Sequence, residues 1–149
     1  MRKPYIRQPL DSPLKAFDNA QFEWMPMLTV RVGRRLEPQR IRLEALLDTG
    51  SPFCLFRADV GRSLGIDLDK GIPVPIGGPS EGPGEGPRTV AYFHNVQLSV
   101  EDLWTVEVRA GFVEHLAFGC ILGRRGFFEN FKAVFDHSTV PPCVEVYRI

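Results

Sequence analysis

From Ile41 to Ala45, apolar residues alternate with Arg42 and Glu44, and Leu46-Leu47 then extends the apolar run. This predicts a strand over Arg40 to Leu47, half-buried at first and interior at its end. A similar pattern predicts strands over Phe22 to Val32, Phe53 to Phe56 and Ile72 to Ile76. It recurs over Thr89 to Val100, where Val96, Leu98 and Val100 alternate with Gln97 and Ser99, and over Trp104 to Val113, Ala133 to Asp136 and Val144 to Ile149. Cys120-Ile121-Leu122 is a short apolar strand that ends at Gly123. Helical spacing is confined to two short stretches. In Ala58 to Leu64, Val60 and Leu64 share a face and Gly65 is placed to end the helix; Arg124 to Phe131 is the second candidate. The expected class is therefore all-β with one or two short helices.

Prolines and glycines mark the breaks. Pro4, Pro9 and Pro13 interrupt the first 20 residues, which predicts an extended N-terminal arm or loosely ordered lead-in before a domain over 21–149. Gly77 to Pro87 is built almost entirely of Gly, Pro, Ser and Glu, and sustains neither helix nor ladder, so it is a loop between strands. Pro141-Pro142 separates the last two strands.

Composition narrows the function classes. A chain of 149 residues with 44% hydrophobic content holds one core, not two. Eighteen basic side chains balance eighteen acidic ones, so no global field favours nucleic acid or an anionic membrane surface. No apolar run is long enough to span a bilayer and the first ten residues lack a hydrophobic signal core, which predicts a soluble, cytoplasmic protein. Cys54, Cys120 and Cys143 are odd in number and lie among apolar residues, as reduced buried thiols do. With His94, His115 and His137 they form no ligand pair at zinc-site spacing, so neither metal nor other cofactor is expected. Neither Ser51 nor Cys54 stands in a nucleophile-elbow setting.

The chemistry points instead to Asp48. Leu46-Leu47-Asp48-Thr49-Gly50-Ser51-Pro52-Phe53 puts a carboxylate in a turn at the end of an apolar strand, with a glycine that permits close approach and a hydroxyl able to bond a neighbouring carboxylate. Far downstream, Cys120-Ile121-Leu122-Gly123-Arg124 supplies an apolar-apolar-Gly segment. Together these resemble the retropepsin-like aspartic proteases, the single-lobe relatives of pepsin, over roughly residues 20 to 149. The resemblance implies a retropepsin-like acid-protease barrel forming a symmetric homodimer. Asp48 would be the catalytic residue, with Thr49, Gly50, Ser51, Ile121, Leu122 and Gly123 supporting its turn, and backbone passing close to Gly123.

One chain supplies one such aspartate, so the resemblance implies an Asp dyad shared by two subunits, hydrolysing peptide bonds of a peptide or protein substrate with water as nucleophile. In the family Thr49 would bond across the axis and Ser51 would orient the carboxylate. The Gly/Pro-rich segment matches the substrate-covering flap, which would comprise Ile76, Gly77, Gly78, Gly82, Gly84 and Gly86. Three features depart from the retroviral pattern. The loop is longer, a helix precedes the flap, and Pro52 replaces the acidic residue that pairs with the arginine after the second motif, so Arg124 needs another partner. The competing expectation is a non-catalytic dimeric module that keeps the fold and binds a peptide or protein.

Overall fold

We describe the protein from a computed structural model, in which residues 1–77 and 89–149 are described. The strands are β1 (Arg2–Pro4), β2 (Ile6–Leu14), β3 (Ala20–Met25), β4 (Met27–Gly33), β5 (Ile41–Leu47), β6 (Leu55–Arg57), β7 (Ile72–Ile76), β8 (Thr89–Val100), β9 (Trp104–Val113), β10 (Cys120–Leu122), β11 (Phe131–Asp136) and β12 (Cys143–Arg148); a short helix α1 spans Ala58–Ser63. The main sheet runs β4-β5-β10-β6-β9-β8-β7, and a further β4–β8 pairing closes its first six strands into a barrel with β7 outside the ring. Closure removes the free edges that an open sheet of this size would leave.

Period-two alternation fills the barrel. Val30, Val32, Ala45, Val96, Leu98 and Val100 are fully buried, as are the larger Phe56, Phe112 and Phe127 to within 1%. Each such side chain contributes about 1.5–3 kcal/mol on leaving water, which is why the register of β8 against β9, from Tyr92↔Phe112 to Val100↔Trp104, tolerates no slip. The helix α1 has no side-chain cap and six residues, too few to persist alone; it is held by burial of Ala58, Val60 and the following Leu64. Gly65, at φ +72°, ends it as the sequence predicts.

Three expectations need correction. The strand expected over Phe22 to Val32 is two, β3 and β4, broken at Pro26, which has no N–H for a ladder and whose carbonyl instead accepts from Leu47 N–H at 2.9 Å. The helix expected over Arg124 to Phe131 is a series of turns. Phe128 N–H and Glu129 N–H reach back five residues to Gly123 and Arg124, and Gly126 at φ +100° prevents a regular helix. The first 20 residues are structured: β1 pairs with β12, which pairs with β11, and β2 pairs with β3 as a separate two-stranded ribbon. Among the described residues no helix is long and apolar enough to cross a membrane.

Candidate active site

The strand β5 delivers Asp48. Its neighbour β10 runs parallel to it with Ile121 opposite Leu46 and Leu122 opposite Leu47, so the two motifs that lie some seventy positions apart in sequence end side by side. The ladder closes with Asp48 N–H donating to the Leu122 carbonyl at 3.1 Å. The chain then turns: Ser51 N–H donates to the Asp48 carbonyl at 3.2 Å, and Gly50 N–H donates to Asp48 Oδ1 at 2.9 Å. One carboxylate oxygen is thereby fixed by the turn that carries it, while Oδ2 has no protein partner among the described residues. Asp48 is half-buried and Thr49 and Gly50 are exposed, so the carboxyl faces open space from a rigid base.

Gly123 forms part of that base. It is buried, and a Cβ built on it would lie 2.7 Å from the Ser51 carbonyl oxygen and closer still to the Phe53 carbonyl. Both obstacles are backbone, so no side chain fits. The chain leaving Gly123 continues along the turn. Arg124 N–H donates to Ser51 O at 2.9 Å, Arg125 N–H donates to Pro52 O at 2.9 Å, and Phe53 bridges Arg125. The Arg124 guanidinium folds over the turn and donates to the carbonyls of Thr49 at 2.8 Å and Gly50 at 3.1 Å, which supplies the partner that Pro52 could not. Beneath, burial pushes the Cys54 thiol up to about 11 and raises Cys120 well above the ordinary thiol value, so both are inert packing groups.

Asp48, Thr49, Gly50, Ser51, Ile121, Leu122 and Gly123 are thus brought together. Ser51 differs from expectation in one respect: its hydroxyl donates to the Phe53 carbonyl at 2.8 Å and not to the Asp48 carboxylate. Of the flap residues, Ile76 ends β7 and Gly77 follows it, whereas Gly78, Gly82, Gly84 and Gly86 lie outside the described residues.

A cavity of about 380 Å³ opens beside the turn, bounded by Ser51, Pro52, Phe53 and Leu55 on one side, Ile76 and Gly77 on another, and Val113, His115 and Leu116 on a third. The sequence reading missed Phe53, Leu55, Val113, His115 and Leu116 as lining residues. The signal for the first two was present, since positions i and i+2 of a strand share a face; the others come from a segment that only the barrel brings near.

No protein-family model and no curated protein matches the chain. Among solved structures, a retropepsin-like aspartic protease from Rickettsia conorii superposes with a TM-score of 0.56 at 12% identity, covering 97% of this chain and 98% of that one. The EIAV protease complexed with the inhibitor HBY-793 gives 0.46 at 20% identity, over 68% of this chain and 84% of that one. The retroviral protease-like domain of Ddi1 from Leishmania major gives 0.41 at 14% identity, over 66% and 72%. The near-complete overlap with the Rickettsia structure, together with the closed barrel of six strands, establishes that this chain has a retropepsin-like fold.

Proposed function

We propose that the protein is an aspartic endopeptidase acting as a symmetric homodimer, with Asp48 of each subunit forming the catalytic dyad. The observation that carries this reading is the Asp48 turn. Its carboxyl is held by Gly50 N–H through one oxygen, leaves the other open, and rests on a backbone crossing at Gly123 that excludes any side chain. A purely structural turn aspartate needs no such support from a second motif.

Two such carboxyls in contact cannot both ionise cheaply, so the pair holds one proton between them, as aspartic-protease dyads do. The ionised member takes a proton from water as the oxygen attacks the scissile carbonyl carbon. The protonated member hydrogen-bonds the carbonyl oxygen and passes its proton to it. On collapse of the tetrahedral diol the first carboxyl gives its proton to the leaving nitrogen as the C–N bond breaks, and the other carboxylate takes a proton from a diol hydroxyl, which restores the shared-proton pair. The cavity beside Ser51 and Phe53, bordered by Ile76 and Gly77 at the end of β7, takes a substrate side chain.

The test is cleavage of a diverse peptide library by wild type and Asp48→Asn between mildly acidic and neutral pH, with sedimentation under the same conditions. The reading expects wild type to cleave, the variant to be inactive while folded and dimeric, and activity per subunit to fall on dilution below the dimer dissociation constant. Full activity in Asp48→Asn, or in a strictly monomeric species, overturns it.

A further inference from the structure

A second and larger cavity, of about 740 Å³, lies next to the first, and Phe53 borders both. The strand β7 joins them: Ile72 and Val74 line the outer cavity, Ile76 lines the inner one, and these three share one face of the strand. The two spaces therefore form one groove along β7, which over the five steps from Ile72 to Gly77 spans about 16 Å. Ile72 and Val74 of the outer cavity lie on average about three residues along the strand from Ile76 of the inner one, so an extended polypeptide in the inner cavity reaches the outer one about three residues further along.

The outer cavity has an apolar floor, in which Phe53 meets Phe93 edge-to-face at 5.1 Å, and a charged rim. The rim's charges are unequally satisfied. Glu129 accepts from Gly126 N–H at 3.0 Å and Glu107 lies 3.8 Å from Arg35. Arg109 donates only to the Asn95 side-chain oxygen, at 3.2 Å, and the Arg125 guanidinium has no hydrogen-bond or ion-pair partner among the described residues. Glu129 has a donor and Glu107 a distant ion-pair partner, and neither rim guanidinium has a carboxylate among the described residues. The rim holds two carboxylates and two guanidinia, and the unpaired donors are those of Arg109 and Arg125; a guanidinium takes a carboxylate by two parallel hydrogen bonds.

We propose that the outer cavity is a distal subsite selecting polypeptides that carry an acidic side chain beside an apolar one, about three residues from the segment held in the inner cavity beside the Asp48 turn. The apolar side chain covers Phe53 and Phe93, and the carboxylate reaches Arg109 and Arg125. The proposal rests on the reading of Asp48 as the hydrolytic centre only in calling the bound chain a substrate.

The test uses Asp48→Asn protein and fluorescein-labelled dodecapeptides with one apolar centre and either Glu or Gln at the distal positions, read by fluorescence anisotropy. The Glu peptides are expected to bind about tenfold tighter than the Gln peptides, and Arg109→Gln/Arg125→Gln in the same background is expected to erase the difference. Equal affinities, absence of binding, or a preference that survives the double substitution each overturns the subsite. Cleavage by wild type is scored separately. Acid-selective binding without cleavage overturns the proteolytic reading and leaves the subsite standing; cleavage without acid selectivity does the reverse.

Discussion

Replacing Gly123 by alanine adds one methyl group where the chain has no room for it. Its Cβ would fall 2.7 Å from Ser51 O and nearer still to the Phe53 carbonyl, and neither atom can swing aside because both belong to the backbone. Overpacking of this kind costs about 3 kcal/mol or somewhat more when backbone must yield, offset by about 0.4–1 kcal/mol from the stiffer unfolded chain. A net loss of about 2–3 kcal/mol follows, which for a domain of this size lowers Tm by roughly 4–12 °C. The relief has to come from separating the Ser51–Phe53 segment from β10, and that segment is tied to Asp48 through Ser51 N–H and to Arg124 through Ser51 O. Peptidase activity should therefore fall further than stability does, because the Asp48 carboxyl moves with its turn. Gly119→Ala is the control: its Cβ would meet only Leu43 Cδ2, at an ordinary 3.6 Å, so it should stay within about 0.5 kcal/mol of wild type. Urea unfolding with thermal scans of both variants measures the difference. A Gly123→Ala protein as stable as Gly119→Ala would refute the argument that backbone contact under the turn is what requires glycine.

Arg124→Leu keeps the aliphatic stem and removes two charge-assisted hydrogen bonds to the turn; at this exposed site the expected loss is about 1–2 kcal/mol by urea titration, with activity falling further at temperatures well below Tm. The Cys54 thiol is raised from 9.0 to about 11, so the folded state holds its proton where the unfolded state has lost it, and stability should be intact below pH 9 and decline towards pH 11 by up to about 1.4 kcal/mol per pH unit. Thermal scans of Cys54→Ala should show a shallower decline, and an unchanged slope would contradict the assignment. Deleting residues 1–5 removes the three β1–β12 pairs, the 3.0 Å Lys3–Glu101 ion pair and the buried Tyr5, and should cost at least about 3 kcal/mol in a denaturant midpoint experiment.

Local pattern alone determined much of this protein. The alternation in Ile41 to Ala45 and in Val96 to Val100 identified strands because one face of each is buried, and Gly65 ended α1 because only glycine enters the left-handed region at no cost. Asp48 and Gly123 were picked out by resemblance to the retropepsin-like motifs, and the pairing of β5 with β10 sets those two motifs side by side. Other features depended on long-range contacts that no local window contains. Arg124 lies seventy-five positions from the Thr49 carbonyl it caps. Residues 1–20 looked like an arm because prolines broke their periodicity, yet Arg2–Pro4 found a ladder partner in β12, at the other end of the chain. The groove along β7 is the clearest case. Phe53, Ile72, Phe93, Arg109 and Arg125 are ordinary strand and turn residues in sequence, and they share a cavity only because barrel closure folds five separate segments against one another. Sequence determines what each segment presents on its faces, but which faces meet is decided by the pairing of strands far apart in the chain.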